Sequence, residues 1–423
     1  MKKNIFKNAA PVGLIAIAVA LPFSTKANEA GQATHLDSVL IQPSETVTLS
    51  QVIDSAINHA PESVQQEAVS EYASALQRKS NTWLASSPSL NFNYQTDQLH
   101  EDAGYSETET GIDLPLWRPS QKKAWGSLAD NAGKTVANFP ALLRLKVASR
   151  VRKSVWELEE TRAAVNLAEK ELETDKILEN KIRRLVELGD RARLDLILAS
   201  QDVLSKERAL LNAKAMYQEA SLHYTHLTGL QTYPAQLKEA AGSGPIEPEH
   251  PELTTARLKI EQAKYRQTLL RKTAGGQPVL SINARQETAV DSSENLDSVG
   301  VGISLPFGSK AHNGPEYSAA ARDAAEAKSE LILLRHQLET ALDGARIKYQ
   351  ALEKDIVLAQ KNLQLTTRQR QLTERAYESG EVDIVHLLRS QSAFFNAQRE
   401  LSRIQIERGR ALSEINQALG VTP

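Results

Sequence analysis

The chain repeats itself at long range. Gly111-Ile112 and Leu114-Pro115, in GIDLPL, return 191 residues later as Gly302-Ile303 and Leu305-Pro306 in GISLPF. Pro88-Ser89-Leu90 returns as Pro278-Val279-Leu280, and HAPESV at 59–64 as EHPELT at 249–254, both with an offset of 190. Further on, LGD at 188–190 matches SGE at 379–381, and LTGL at 227–230 matches ALGV at 418–421, each 191 residues apart. Five anchors in one order at nearly constant spacing make the chain two copies of one structural unit. The Gly- and Pro-rich stretch GSGPIEPEHP at 242–251 is the natural linker between them.

The copies share an internal plan. The first spans 28–241, with a short amphipathic helix over about 48–80, strands at about 88–100 and 105–117, and helices over about 122–229. The second spans 252–423, with its short helix over about 251–273, strands at about 278–290 and 297–308, and helices over about 316–419. Each long helical stretch is broken once, at Gly189 or Gly380.

The strands alternate with a period of two. Leu90, Phe92 and Tyr94 oppose Ser89, Asn91, Asn93 and Gln95; Leu280 and Ile282 oppose Ser281, Asn283 and Arg285. In the last strand Val299, Val301, Ile303, Leu305 and Phe307 share a face against Ser298, Gly300, Gly302, Ser304 and Pro306. Such a sheet either covers a soluble core with its apolar side or crosses a membrane with its polar side to water. Strands of about ten residues suffice for a tilted crossing, and no other apolar segment is available to cover them. Four strands cannot close a barrel, which needs about eight, and hydrocarbon tolerates no open edge. Membrane strands here must be pooled: two subunits give eight strands and a filled interior, three give twelve and a lumen.

The helical stretches are too long for a globule. Between Glu316 and Leu419 there is no proline. Leu342, Ala345, Tyr349, Leu352, Ile356, Ala359 and Leu363 alternate spacings of three and four, the seam of a coiled coil. Ile384, Leu387, Phe394, Leu401, Ile404, Ala411 and Ile415 resume it after Gly380. A helix over 316–379 would be about 95 Å long at 1.5 Å per residue. The pattern predicts helical hairpins with tips at LGDRARLD, 188–195, and SGEVD, 379–383. A kink is expected at Pro140, which has no counterpart in the second copy. Aromatic residues make up only 5% of the chain, which argues against a large aromatic core. A coiled-coil rod without a pore would explain the heptads but not the strand pairs between them.

Residues 1–27 read as a secretory signal: three lysines, an apolar run of about a dozen residues, then a small-residue exit near Ala27. Loss of its four lysines takes the net charge from −2 to −6, which argues against nucleic acid as a partner. There is no cysteine, so an exported chain must rely on packing or assembly and carries no lipidated N-terminal Cys. His223 and His226 stand one helical turn apart without a third metal ligand nearby, and no metal or other cofactor is expected. No phosphate loop or nucleophile motif is present, so the chain is not expected to be an enzyme.

With LSQVIDSAINHAPE at 49–62, the paired GIDLPL and GISLPF strands, and SGEVDIVHLLRSQSAFFNAQREL at 379–401, the sequence resembles the TolC family of outer-membrane efflux proteins, in particular its shorter, heavy-metal-efflux-like members. The resemblance covers about Leu49 to Gly420. It implies a mainly α fold with a β-barrel portion: long coiled-coil hairpins and four strands per chain, assembled as a homotrimer with a twelve-stranded outer-membrane barrel and a periplasmic α-helical tunnel. It also implies a passive exit duct in a Gram-negative outer membrane, contacting outer-membrane lipid. Its partners would be a periplasmic adaptor (membrane fusion) protein and an inner-membrane pump of the RND type. A type I protein-secretion duct is the alternative within the same class, and a non-pore periplasmic coiled coil the alternative outside it.

Carried over by position, Gly189, Asp190, Gly380 and Glu381 become the adaptor-docking tips, and Asp383, His386, Arg389 and Asp195 the periplasmic gate. Relatives often carry acidic residues where His386 and Arg389 stand. Three copies of each would make a more positive, pH-sensitive constriction, unless both pair with Asp383, Asp190 or Asp195. Trp117 fits an interfacial anchor. Pro115 and Pro306 mark where strand gives way to tunnel, with Ile112, Leu114 and Leu116 toward lipid and Asp113 toward the lumen.

Overall fold

The computed structural model describes residues 41–97, 104–237, 239–288, 295–307 and 310–423. The expected signal segment and the tips of both strand pairs lie outside them. In chain order the elements are β1 (Gln42–Ser44), α1 (Leu49–His59), α2 (Ser63–Asn81), β2 (Ser89–Thr96), β3 (Ser106–Pro115), α3 (Pro119–Glu187), α4 (Arg193–Thr228), β4 (Thr232–Pro234), α5 (Pro251–Thr273), β5 (Val279–Thr288), β6 (Asn295–Ser304), α6 (Lys310–Glu378) and α7 (Ile384–Ala418). No helix among the described residues is long and apolar enough to cross a membrane.

The helix expected over 48–80 is two helices. Thr48 and Gln51 form a capping box that starts α1. The chain is extended at Ala60, ahead of Pro61, and this ends α1 before α2 begins. The long helices behave otherwise: α3 and α6 have 69 residues each, about 100 Å at the usual rise. Pro119 at the first position of α3 suits a helix start, and α3 remains helical through Pro140.

α3 lies along α4 and α6 along α7, and α3 also packs beside α7. Leu342 and Ala345 bury against Ile415 and Leu419, and Leu352 and Ala359 against Ile404 and Ala411, so the heptad seam is the α6–α7 interface. Near the middle of the chain's length, α1, α3, α4 and β4 enclose Val52, Ile53, Val147, Val151, Leu158, Tyr224 and Tyr233. Here β1 and β4 form a short parallel pair, Gln42 opposite Thr232, that no sequence signal announced. Close to the sheet, Ala73, Leu76, Ala124, Leu128 and Leu269 join α2, α3 and α5.

The duplication extends to how each copy closes. Gly229 ends α4 with φ +70, and a Cβ there would lie 2.7 Å from the His59 ring. Gly420 follows α7 with φ +76, and a Cβ there would lie 2.6 Å from the His250 ring. In both copies a histidine beside the first helix lies against the left-handed glycine that ends the last one, 191 residues apart on each side.

The four long strands form one antiparallel sheet in the order β2-β3-β5-β6, so the pairs from the two copies join through β3 and β5. Leu90, Ile112, Ile282 and Val301 stand in one cross-strand row, and Asn91, Gly111, Asn283 and Gly300 in the next. β6 ends at Ser304, so Leu305 and Phe307, which continue the alternation, lie beyond the ladder.

Candidate functional site

Two regions carry the functional geometry, the sheet and the hairpin tips. One face of the sheet is apolar and uncovered: Leu90 is 77% exposed, Val299 79% and Val301 71%. The other face is a polar network. Asp113 accepts hydrogen bonds from Asn91 Nδ2 and Ser281 Oγ, both at 2.5 Å, and Glu109 accepts from Asn283 Nδ2. Arg285 bridges Glu107 at 2.8 Å and Glu287 at 3.0 Å. Gly300 leaves space in this face, because a Cβ there would come within 2.3 Å of Asn283 Oδ1. Ile112 and Leu114 thus share a face opposite Asp113. The outer strands β2 and β6 keep one edge each without a partner among the described residues, an arrangement that lipid forbids unless another chain completes it.

The strands end at a stitched junction. Pro115 closes β3 opposite Val279, where a missing N–H costs no ladder bond inside the strand. Arg118 of the first copy donates through Nη2 to the carbonyls of Gly275 at 3.0 Å and Pro306 at 2.7 Å, so one guanidinium holds the entry and the exit of the second copy's strand pair. Trp117 is half-buried and donates from Nε1 to the Thr82 carbonyl at 3.0 Å. The fully exposed aromatics are instead Trp83, at 94%, and Phe307, at 98%. Trp83 escaped sequence analysis because it lies in an irregular segment without periodicity.

At the opposite end, both tips are built alike. Gly189 has φ +84; its N–H donates to Val186 O at 3.1 Å, and that of Asp190 to Leu185 O at 2.8 Å. Gly380 has φ +80; its N–H donates to Tyr377 O at 3.1 Å, and that of Glu381 to Ala376 O at 2.8 Å. This pair of bonds is the Schellman closure, which needs a left-handed residue and so selects glycine. Ile182, Ala199, Tyr377, Ile384 and Leu387 pack the two tips against each other.

Two contacts between the tips went unforeseen. Arg191 stacks over the Tyr377 ring at 4.5 Å and donates to the Tyr377 carbonyl at 2.5 Å, and Lys181 pairs with Glu378. A cation at the last turn of α6 also complements its dipole. Burial pushes the Tyr377 phenol up, with Arg191 opposing that shift and Asp195 adding to it. Arg191 stands two residues after the tip glycine, and only its partner's position in space reveals its role.

Of the gate residues, Asp383 caps α7 by accepting from the His386 N–H at 3.0 Å, and its carboxylate also meets His386 Nδ1 at 2.7 Å. The His386 backbone N–H and ring hold the Asp383 carboxyl below the usual range. Within one chain His386 is therefore paired locally, while Arg389 is exposed and has no ion pair among the described residues. His223 and His226 stand exposed on α4, and no group of three His, Cys, Asp or Glu that could hold a metal occurs among the described residues.

The fold is thus an amphipathic four-stranded sheet with two open edges, joined to paired coiled-coil hairpins. Residues 246–421 match the outer membrane efflux protein family. That match takes in the second copy alone; the first copy repeats its order of helix, strand pair and helical hairpin and adds the short elements β1, α1 and β4. No curated protein matches the sequence. Among solved structures, CusC matches with a TM-score of 0.72 at 14% identity, over 90% of this chain and 94% of that one. VceC from Vibrio cholerae matches with a TM-score of 0.69 at 17% identity, over 88% and 96%. CmeC, an outer membrane channel of Campylobacter jejuni, matches with a TM-score of 0.70 at 15% identity, over 88% and 85%. At these identities the likeness is one of fold.

Proposed function

We propose that the protein is the outer-membrane exit duct of a tripartite efflux system in a Gram-negative bacterium. The observation that carries this reading is the sheet: four strands, apolar outside and polar inside, with two free edges that only other copies can complete. Three copies supply twelve strands and a water-filled lumen. The tips, Gly189-Asp190 and Gly380-Glu381, dock a periplasmic adaptor, which joins the duct to an inner-membrane pump of the RND type that supplies the energy. Asp383, His386, Arg389 and Asp195 border the narrow end. In the homotrimer, three exposed Arg389 side chains make that constriction more positive than an acidic ring would.

The test is assembly and location. The full-length protein should fractionate with the outer membrane as an SDS-resistant trimer, and its deletion should sensitise the host to exported toxic compounds. A soluble periplasmic monomer would overturn the reading.

A further inference from the structure

The junction between sheet and tunnel has a charge pattern that its own fold uses only in part, at Arg118 and Arg285. Across 72–96, 114–129, 262–286 and 298–315, four acid-free runs that span the turns between helix and strand and are each flanked on both sides by Asp or Glu, the sequence has eleven Lys or Arg, although acidic residues outnumber basic ones in the whole chain, 52 to 50. Three adjacent pairs dominate: Arg78-Lys79 in the last turn of α2, Arg271-Lys272 in the last turn of α5, and Lys122-Lys123 near the start of α3. All six side chains are exposed, and none has an ion pair among the described residues.

Helix chemistry explains two of the pairs. Cations at the C-terminal turns of α2 and α5 complement the helix dipole. Lys122 and Lys123 sit at the other pole, where the dipole disfavours positive charge and no carboxylate offsets it. Their neighbours compound the effect: Lys122 Nζ reaches only the Thr82 carbonyl, at 3.4 Å, and Lys79 lies over the Trp125 ring at 4.2 Å. An anion outside the chain would offset this charge.

Position indicates which anion. Along the barrel axis the chain presents the apolar sheet face, then the exposed aromatics Trp83 and Phe307 with Trp117 beside them, then the basic pairs. Hydrocarbon, interface and phosphate layer follow one another in a bilayer in that order.

We propose that this collar binds the anionic phospholipid headgroups of the leaflet on the tunnel side of the membrane, with Lys122 and Lys123 as its specificity-determining residues. The proposal rests on the duct reading above. It adds a headgroup preference that the duct reading does not require.

Three of the four tryptophans, Trp83, Trp117 and Trp125, lie at the collar, and the fourth, Trp156, is buried between α3 and α7. Emission from the full-length protein reconstituted in phosphatidylcholine vesicles therefore reports on lipid at the collar. Brominated phosphatidylglycerol should quench it at least about twofold more than brominated phosphatidylcholine, and the excess should fall with added salt. Lys122→Gln with Lys123→Gln should abolish the preference, whereas Lys181→Gln at the tips should leave it intact. Equal quenching by both lipids, or a preference that survives the double substitution, overturns the proposal. So does an unchanged preference with an altered cation-to-anion permeability ratio, which would place the collar in the lumen. Failure of either lipid to quench, with the protein left outside the vesicles, would instead count against the duct reading.

Discussion

Trp156 packs over Gly409 so closely that a Cβ at position 409 would come within 2.1 Å of its ring, and its Nε1 donates to Ser413 Oγ at 2.9 Å. Gly409 looks like a defect in the middle of α7, since glycine weakens helices. It is the recess that lets the Trp156 indole of α3 pack against α7. Gly409→Ala should lower stability by about 1–3 kcal/mol through overpacking, read as a drop in melting temperature. Pairing it with Trp156→Leu should recover part of that loss.

A second residue-scale prediction concerns Asp175, 3% exposed between α3, α4 and α7. Burial, with Asp202 facing it, pushes its carboxyl up to about 7. Gln391 Nε2 donates to one of its oxygens, while the other has no partner. Glu171, held by Lys206 at 2.7 Å and Arg399 at 2.9 Å, adds further negative charge nearby. The folded state keeps a proton that the unfolded chain has lost above its ordinary pKa of 3.8. Its contribution is therefore fully present below about pH 4 and is lost as the pH rises through about 7. Asp175→Asn should remove this slope and raise the melting temperature at pH 8 while changing little at pH 4, as measured by thermal unfolding across that range. This cluster was illegible in the sequence, because its members come from three helices and none breaks the pattern of its own.

At the level of elements, the hairpins were legible because heptad spacing and a left-handed glycine are local signals. The split between α1 and α2 needed only Pro61, which was visible but overridden by the amphipathic pattern around it. The parallel pair β1 and β4, three residues each, is too short for any periodicity and depends on partners 190 residues apart. The contact between the tips likewise exists only in three dimensions. Arg191→Ala removes both its stacking on Tyr377 and its bond to the Tyr377 carbonyl. The two tips should then separate more readily, giving a larger single-channel conductance in planar bilayers at unchanged trimer yield. A conductance equal to wild type would show that the Ile182–Leu387 cluster holds the tips unaided.

For the whole molecule, the sheet sets the rule of assembly. Val301 stands on the outer strand β6 within the apolar face, opposite Ile282, and Asn283 on the adjacent row faces the polar side. Val301→Arg should cost about 2–4 kcal/mol if that row sits near the bilayer midplane, and outer-membrane trimers should become scarce. Asn283→Ser on the polar side should leave trimer yield near wild type. Both outcomes can be read from the heat-resistant band on a gel. Equal tolerance of the two changes would mean that the uncovered face packs against protein.

The clasp of His59 on Gly229 and of His250 on Gly420 means that each copy brings its own beginning and end together. The linker at 242–251 ends beside His250, so it joins the two closed copies and also supplies the ring of the second clasp. In the proposed trimer the ring is then made of six fastened loops with every second join covalent, so the wall repeats six times although three chains build it.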